Sequence, residues 1–253
     1  MKLIDWLITE ISLLKSPAKK ETVQIARSLK GKKGIEIGGP SNFFSATSYF
    51  PVYLYAAAID GVNYSSETVW EGKISAGKNY QYLKGYEKGE QFIAEATDLD
   101  TIKENSYDFL LSCHCLEHVA NPIKALKQWH AIIKPGGLMC LILPNKEYCF
   151  DRNRPYTSFE HLLEDYKNNT NEYDETHFEE IYKNHIIAED PGINSLEELK
   201  KRTRDNFHNR CVHHHVFNFE VIIETLRYCG FEINIYKVIH GVNLFIIATK
   251  PIH

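Results

Sequence analysis

The chain has 253 residues, of which 43% are hydrophobic and 25% are charged, the usual balance of a globular protein. This composition excludes a disordered chain, a collagen and a disulfide-stabilised miniprotein, and the length fits one or two domains. Lysine and arginine total 29 against 33 acidic residues, so the net charge is -4. Because proteins that bind nucleic acid usually carry a basic surplus, we expect no nucleic-acid partner.

Cysteine spacing and the length of apolar segments bear on where the protein works. None of the six cysteines forms a Cys-x-x-Cys pair, which is typical of reduced thiols and not of a disulfide framework. No apolar stretch reaches the ~18 residues that cross a bilayer, so we expect no membrane insertion. We therefore predict a cytoplasmic protein.

An amphipathic helix is predicted near the N-terminus. Its apolar stripe consists of Leu3, Ile4, Leu7, Ile8, Ile11 and Leu14. Asp5 and Glu10 interrupt the apolar run, and no small-residue cleavage site follows it, so a signal peptide is not expected. We expect the helix to pack on the domain, with a membrane-surface helix as the alternative. Whether it closes over a ligand or joins a second subunit in a homodimer stays open.

Residues 34–143 alternate strand-like and helix-like segments. The strand-like runs are residues 34–38, 52–59, 91–96, 107–112 and 138–143. A helix is predicted from Asn121, its cap, through Pro122 in the first turn, to the glycines at 136–137. Strands this apolar, separated by helices, predict an α/β fold with a parallel sheet covered on both faces.

The chain changes in character after this core. Residues 144–212 are polar, and within them residues 158–167 and 195–204 have helical patterns. This composition predicts a partly helical insertion that lies over one end of the sheet.

The C-terminal segment completes the sheet in this interpretation. Asn218 can cap a helix that Gly230 ends, and β-rich runs follow at 231–239 and 242–249. Two strands joined by so short a connection must be antiparallel, because a parallel return needs a long crossover.

Glycines or acidic residues follow three successive predicted strands, at the edge where open α/β sheets bind ligands. Gly38 and Gly39 follow the first strand and let a ligand approach the backbone. Asp60 ends the second predicted strand, where a carboxylate can accept hydrogen bonds from ribose hydroxyls. Asp98 follows the third and can accept a bond from an adenine amino group, with Leu99 covering the ring. Each also has an ordinary interpretation as a turn or helix cap, but together they predict a nucleoside pocket.

Residues 34–143 resemble the class I S-adenosylmethionine-dependent methyltransferases. The motifs that carry the resemblance are Tyr-Asp-Phe-Leu-Leu-Ser-Cys-His-Cys-Leu-Glu-His-Val at 107–119, Asn-Pro at 121–122 and Lys-Pro-Gly-Gly-Leu at 134–138. The glycine loop of the family matches at Glu36 and Gly38, whereas Pro40 and Asn42 stand at its later glycine positions.

The resemblance implies a Rossmann-like, seven-stranded, mostly parallel sheet with an antiparallel last strand, and S-adenosylmethionine as cofactor. The cofactor-binding residues it predicts are Glu36, Gly38, Gly39, Asp60, Gly61, Asp98, Leu99 and Cys113. The single methyltransferase domain, 1–253, then divides into an N-terminal helical segment (1–30), a donor-binding core (31–143), a substrate-binding insertion or lid (144–212), and a C-terminal helix and β-hairpin (213–253).

Residues 151–166 and 206–217 resemble a bacterial branch of the family, whose members accompany surface-polysaccharide and secondary-metabolite enzymes. This implies a small-molecule acceptor, a sugar or a phosphorylated or nucleotide-linked precursor, methylated on oxygen in preference to nitrogen. Arginine binds phosphate and carboxylate through paired hydrogen bonds. We therefore predict Arg154, Arg210 and the neighbouring His161 as substrate-binding residues for an anionic or sugar-like acceptor. Arg210 also belongs to a local basic cluster with Lys200, Lys201, Arg202, Arg204 and residues 213–215. The alternative interpretation of this cluster is a solvated face of the helix predicted at 195–204.

A hydroxyl or amine acceptor also has a proton to lose, and a neutral histidine is the usual base. The candidates are His118, His213, His214 and His215. In an extended segment His213 and His215 face one way and His214 the other. The alternative is that these histidines are hydrogen-bonded in the core.

Metal binding and two other functions are also weighed. No group of cysteines or histidines has zinc spacing and no carboxylate pair flanks residues 213–215, so no metal is expected. A non-catalytic nucleoside-binding module that acts through a partner protein stays open. So does an RNA methyltransferase, although neither a basic face nor an appended RNA domain is evident in the sequence.

Overall fold

The structure is a computed structural model that describes residues 3–252, with side chains described from Leu7 onward. Within these residues the α-helices are α1 (Leu3–Lys15), α2 (Lys20–Ser28), α3 (Pro122–Ile132), α4 (Phe159–Asn168), α5 (Phe178–Asn184), α6 (Leu196–Arg204), α7 (Asn206–Asn209) and α8 (Phe219–Tyr228). The strands are β1 (Lys33–Ile37), β2 (Ala58–Asn63), β3 (Glu67–Thr68), β4 (Gly72–Lys73), β5 (Gly77–Tyr80), β6 (Gly89–Ile93), β7 (Tyr107–Cys113), β8 (Ile133–Pro144), β9 (Glu232–Ile239) and β10 (Asn243–Thr249).

The main sheet confirms the predicted α/β, Rossmann-like fold. Its strand order within the described residues is β5-β6-β2-β1-β7-β8-β10-β9. The five strands from β6 to β8 are parallel, and β10 runs antiparallel between β8 and β9. The short strand β5, antiparallel to β6, makes eight strands where seven were predicted. Its sequence, Gly-Lys-Asn-Tyr, lacks the apolar run by which the other strands were identified.

A capping residue and a buried tryptophan position helix α3 against the sheet. The Asn121 side chain accepts a hydrogen bond of 3.1 Å from the backbone N–H of Lys124, as expected of the cap. Trp129 is fully buried, and its indole N–H donates to the Ala96 carbonyl at 3.0 Å. The helix ends at Ile132, and the chain continues directly into β8 at Ile133. The Pro-Gly-Gly segment that was expected to end the helix therefore lies within β8.

The hairpin at the C-terminus is also as predicted. Residues 240–242 join the paired strand ends Ile239 and Asn243, and within this tight connection His240 and Gly241 have positive φ, 54° and 77°. Asn218 caps α8 by accepting from the N–H of Val221 at 2.9 Å, and Gly230 follows the helix with φ 91°.

The second strand is displaced from its predicted position. Residues 52–59 were expected to form it, but Val52–Leu54 forms a 3₁₀ turn and the strand is Ala58–Asn63. The apolar run was misleading because the 3₁₀ turn is itself buried against the sheet. Asp60 therefore lies in the middle of β2, and the prediction that it ends the strand is wrong.

Asp60 instead connects β2 to other strands of the sheet, away from the carboxyl ends of the strands. Its carboxylate accepts hydrogen bonds from the N–H of Glu90 at 2.9 Å and from the hydroxyl of Tyr107 at 2.7 Å. The ammonium of Lys33 lies 2.6 Å from the same carboxylate. These partners join β2 to β6, β7 and β1 and leave Asp60 engaged within the sheet.

The N-terminal helix does not bury its predicted stripe. The stripe residues that are exposed are Leu7, Ile11 and Leu14. Glu10 forms an ion pair with Arg27 of α2, and Thr9 is buried, so the helix contacts the domain through its polar side. The side chains of Leu3 and Ile4 lie outside the described residues. None of the helices in residues 3–252 combines the length and apolar character needed to cross a membrane.

A buried carboxyl group holds the loop that follows β1. Glu36 is fully buried and accepts hydrogen bonds from the hydroxyls of Tyr53 at 2.5 Å and Tyr80 at 2.7 Å, and from the N–H of Ser41 at 2.9 Å. A Cβ atom on Gly61 would lie 2.2 Å from the Tyr80 ring, so this glycine makes room for the tyrosine. Burial raises the pKa of Glu36 to about 7, although the three hydrogen bonds oppose that shift.

This carboxyl predicts a pH-dependent stability. Between pH 4.5 and 7 the folded chain keeps a proton on Glu36 that the unfolded chain has lost, so the free energy of unfolding falls as pH rises through this window. Relative to Glu36→Gln, which cannot titrate, the wild type should lose up to about 3 kcal/mol across it, at about 1.4 kcal/mol per pKa unit.

Urea unfolding of both proteins below pH 4.5 and above pH 7 measures this difference. The exposed residue Glu160 supplies the control, Glu160→Gln. A wild-type-to-Glu36→Gln difference that stays constant with pH would contradict the prediction.

Candidate functional site at the carboxyl edge of the sheet

A cavity of about 1070 Å³ opens at the carboxyl ends of β1, β2, β6, β7 and β8. The insertion covers it with segments that include residues 148–150, 190–192 and 210–213. Sites for a single small molecule commonly measure ~300–1000 Å³. The cavity is therefore at the upper end of this range, and it extends from the sheet to the insertion.

The loop after β1 meets the cavity through one of its two predicted glycines. Gly38 lines the cavity, and its φ of 78° and the 2.9 Å from its ideal Cβ position to the Cys115 sulfur both require glycine. Gly39 and Glu36 do not line it; a Cβ on Gly39 would lie 2.2 Å from the Glu36 carboxyl carbon. Of these residues, the structure places Gly38 at the cavity and the other two behind it.

Asn63 occupies the strand end that was assigned to Asp60. It is the last residue of β2 and lines the cavity, and its Nδ2 donates to the Gly39 carbonyl at 3.0 Å. Asp60 and Gly61 do not line the cavity, and their placement contradicts their prediction as cofactor-binding residues. A correct boundary for β2 would have found Asn63.

The third strand end shows a similar displacement. The cavity is lined by residues 94–97, whereas Asp98 is exposed outside it and Leu99 is buried in the core. The N–H of Asp98 donates to the Glu95 carbonyl, so the chain has already turned away from the cavity at Asp98. Glu95 is the acidic side chain that faces the cavity here, and Asp98 and Leu99 were the wrong choices.

Cys113, at the end of β7, lines the cavity as predicted, together with Cys115. Burial raises the pKa of both thiols to about 12. They are therefore neutral at physiological pH and form part of the wall.

One histidine of the triplet faces the cavity and has a carboxylate behind it. His213 lines the cavity, and its Nδ1 lies 2.5 Å from an oxygen of Asp151. Burial raises the pKa of Asp151, but His213 and Arg154 outweigh burial and hold that pKa well below its usual value. Burial lowers the pKa of His213, but the Asp151 carboxylate outweighs burial and leaves it raised. The pair is thus a carboxylate beside an imidazole that accepts a proton readily.

Arg154 supports this pair from outside the cavity. Its guanidinium is almost fully buried and donates to Asp151 at 2.9 Å, to Glu180 at 2.8 Å, and to the carbonyls of His213 at 2.8 Å and His214 at 3.3 Å. These donors are occupied and Arg154 does not line the cavity, so its placement does not support the predicted contact with the acceptor.

A second histidine faces the cavity beside the first. The ring of His118 contacts that of His213 edge-on, with centroids 4.5 Å apart, and its Nδ1 donates to the Val212 carbonyl at 3.1 Å. Burial first, and then the charge of His213, lower the pKa of His118 well below its usual value. His118 is therefore a neutral imidazole whose Nε2 has a free lone pair.

Glu117 is a cavity residue that the sequence analysis did not assign, although it belongs to the Leu-Glu-His motif. It is 1% exposed, and neither carboxylate oxygen has a hydrogen-bond partner among the described residues. Burial raises its pKa. A buried, unpaired carboxyl on a cavity wall is costly unless a ligand donates a hydrogen bond to it.

The other two histidines of the triplet do not line the cavity. His214 lies 3.0 Å from Asn206 and 3.4 Å from Glu172, and His215 lies 3.3 Å from the Ala120 carbonyl. Residues 210–218 are irregular, so strand-like alternation does not apply. The structure thus places the side chains of His214 and His215 in hydrogen bonds and contacts behind the cavity wall.

The remaining predicted substrate residues also differ from expectation. His161 lies beside His177, with 3.0 Å between their Nε2 atoms, and does not line the cavity. Arg210 does line it, but it is bonded to Glu95 at 2.6 Å and to Glu172 at 3.2 Å. Its charge is balanced by these carboxylates and is not free for an anionic acceptor.

The cavity as a whole is lined by more acidic than basic side chains. Its arginines are Arg202, which pairs with Asp190, and Arg210. The acidic lining residues are Glu71, Glu95, Glu117, Glu172 and Asp190. Asp190 pairs with Arg202, and Glu95 and Glu172 pair with Arg210, so the acidic lining residues without an arginine partner are Glu71 and Glu117.

Comparisons with known proteins agree with this architecture. Residues 19–185, well over half of the chain, match the profile of a methyltransferase domain family, whereas no curated protein matches significantly. A solved S-adenosylmethionine-dependent methyltransferase from Methanosarcina mazei has 18% identity and a TM-score of 0.50, covering 88% of this chain and 94% of that one. One from Mesorhizobium loti has 13% identity and a TM-score of 0.51, covering 92% and 96%.

At these identities the solved structures show a shared fold, and the profile match shows the family. The chain therefore belongs to the methyltransferase domain family and is an enzyme that uses S-adenosylmethionine as its methyl donor.

Proposed function

We propose that this methyltransferase transfers the methyl group to a hydroxyl oxygen of a small, neutral, sugar-like molecule, with His213 as the general base. The observation that carries the proposal is the Asp151–His213 pair on the cavity wall under the insertion. A precursor of a bacterial surface polysaccharide is one acceptor of this kind, supported only by the resemblance of residues 151–166 and 206–217 to a family branch.

For the donor half we propose Gly38, Asn63 and Glu95 as the contacting residues. Because Nδ2 of Asn63 already donates to Gly39, its Oδ1 is left to accept from a ribose hydroxyl. Glu95 uses one oxygen for Arg210, and the other can accept from an adenine amino group. Gly38 lets the methionine part approach the backbone.

For the acceptor half, charge argues against a phosphorylated molecule. Both cavity arginines are paired, and the unpaired acidic group, Glu117, would be desolvated beside any anion. A neutral hydroxyl can donate a hydrogen bond to Glu117 and so satisfy it. We therefore propose a neutral acceptor in place of the anionic one expected from the arginines.

The transfer requires alignment of the acceptor oxygen with the sulfonium methyl group and removal of the acceptor proton. His213 is suited to the second task, because Nδ1 is held by Asp151 and leaves Nε2 free to take the proton. The carboxylate stabilises the imidazolium that results. The rings of Phe150 and His118 lie 4.7 and 4.5 Å from that of His213 and limit the access of water.

The donor residues predict a first set of variants. Asn63→Ala and Glu95→Ala should each weaken the binding of S-adenosylhomocysteine by about 1 kcal/mol, or roughly fivefold, as for one lost hydrogen bond. Asp98→Ala removes a carboxylate three residues from Glu95 but outside the cavity, and should leave binding unchanged. Isothermal titration measures all three, and an effect confined to Asp98→Ala would restore the original assignment.

The assignment of His213 as general base leads to predictions for a second set of variants. His213→Ala should lower kcat by about 10²–10⁴-fold while the dissociation constant of the donor stays the same, because only proton removal is lost. Asp151→Asn should lower kcat by at least about tenfold, since the amide cannot stabilise the imidazolium. His208→Ala, an exposed histidine of the insertion, is the matched control.

The experiment that tests the function is a turnover assay on paired acceptors. Neutral glycosides, the same sugars as phosphates, and amino sugars are incubated with donor, and S-adenosylhomocysteine formation is followed with product mass. We expect turnover of the neutral hydroxyl compounds. Preference for the phosphates would contradict the neutral acceptor, and methylation of the amino group would replace oxygen by nitrogen. Full activity of His118→Ala together with loss in His213→Ala assigns the base; the reverse result would overturn it.

A further inference from the structure

We propose that the insertion and the segment that follows it bind a structural Zn²⁺ ion through His161, Asp165, His177 and His215. These four side chains converge outside the methyl-transfer cavity, and none of them lines it. The site lies where α4, the start of α5 and the irregular segment before α8 meet.

Three of the six separations between the ligand atoms are close to the edges of a zinc tetrahedron. The His161 and His177 Nε2 atoms are 3.0 Å apart, and the Asp165 Oδ2 lies 3.4 Å from the His161 Nε2 and 3.6 Å from the His215 Nε2. All four ligand atoms lie within 4.8 Å of one another. Zinc–nitrogen bonds of ~2.0–2.1 Å give tetrahedral edges of about 3.3 Å, so small shifts complete the site.

Hydrogen bonding within the protein does not account for this cluster. Asp165 Oδ2 is a buried atom with no hydrogen-bond partner among the described residues, and the His215 Nε2 that faces it has a long contact of 3.3 Å to the Ala120 carbonyl. The two facing Nε2 atoms of His161 and His177 can share at most one proton. A divalent cation would satisfy the carboxylate oxygen and three imidazole lone pairs at once.

Burial and sequence placement favour a closed, structural site. Asp165, His177 and His215 are 6%, 9% and 1% exposed, while the His161 side chain is one-third exposed and leaves a route for the ion. His161 and Asp165 are one turn apart on α4 and so share a helix face. Three imidazoles and one carboxylate fill four positions, which leaves no open position for a substrate.

Supporting contacts hold the ligands in place. The Nδ1 of His177 faces Glu180 at 3.9 Å, and Glu180 is bonded to Arg154. The backbone carbonyl of Asp165 accepts from Asn121 Nδ2 at 2.9 Å. Such partners orient metal-binding side chains and are a usual part of zinc sites.

The zinc spacing was missed in the sequence because the ligands come from three separate segments, of which only the pair at 161 and 165 shows a short repeat. The expectation of no metal, drawn from residues 213–215, considered His213 with His215. The structure separates these two, with His213 at Asp151 and His215 at Asp165.

Metal analysis of the untagged, full-length protein is the direct test. We expect close to one zinc per chain by elemental analysis, and a lower melting temperature after zinc is removed by a chelator. Co²⁺ added to the chelated protein should give the visible absorption of a tetrahedral site without the strong band of cobalt–thiolate bonds. That spectrum distinguishes histidine and aspartate ligands from the cysteines near the cavity.

Two variants and a control locate the ion. Asp165→Asn preserves the shape of the side chain, and His161→Gln changes the most exposed ligand. Loss of a residue that only supports a metal ligand typically weakens metal affinity by about 10- to 100-fold. Loss of a ligand itself should weaken zinc affinity by more than that in each variant. His208→Gln removes an exposed histidine of the same insertion and should retain the metal. Circular dichroism checks that the variants are folded.

The cobalt spectrum of the wild type decides the matter if a variant does not fold. Absence of stoichiometric metal together with no tetrahedral cobalt spectrum would overturn the proposal. So would retention of zinc in both ligand variants with loss in His118→Ala, which would place the ion at the cavity cluster of Glu117, His118 and His213. Stoichiometric binding of another metal in place of zinc would overturn the choice of ion.

Discussion

One buried guanidinium organises the cavity wall that the insertion and the histidine segment form. Arg154 bonds to Asp151 and Glu180 and to two successive backbone carbonyls of the histidine segment. It thereby joins the start of the insertion, α5 and the return to the core around one charge. Removal of one member of such a buried ion pair leaves an uncompensated charge at a cost of about 3–5 kcal/mol. The position of His213 against the cavity depends on this arrangement, although Arg154 itself never reaches the cavity.

The same arginine connects two features that otherwise have separate roles. On one side it holds the carboxylate that faces His213, and on the other it holds Glu180, which lies beside His177. The acceptor wall and the histidine–aspartate cluster therefore share a charged partner. These buried, mutually paired charges add to a small apolar core within the insertion, formed by Phe178, Ile181, Ile193, Leu199 and Val212.

Helix caps could be predicted from the sequence, whereas the ends of strands could not. Asn121 and Asn218 cap helices by bonds within their own first turn, so a short stretch of sequence contains the information. Asp60 and Asp98 failed because their roles depend on where a strand ends. The register between β1 and β2, which aligns Ile37 with Val62, is set by packing across the sheet.

The site residues show the same division. His213 was among four candidates, but its selection came from Asp151, which is 62 residues away in sequence. Glu117 was visible in the motif, yet only burial identifies it as an unpaired carboxyl. Contacts between distant segments cannot be derived from spacing alone, whereas helix caps and tight turns can.

The bond between Arg210 and Glu95 couples the insertion to the proposed donor site. It connects the insertion to the third strand end, next to a second contact in which the Tyr64 hydroxyl donates to the His208 carbonyl at 2.8 Å. Movement of the insertion away from the sheet breaks both contacts. In the proposed assignment the donor shares Glu95 with Arg210, so donor binding and the attachment of the insertion to the sheet are thermodynamically linked, each changing the other's equilibrium by the same factor.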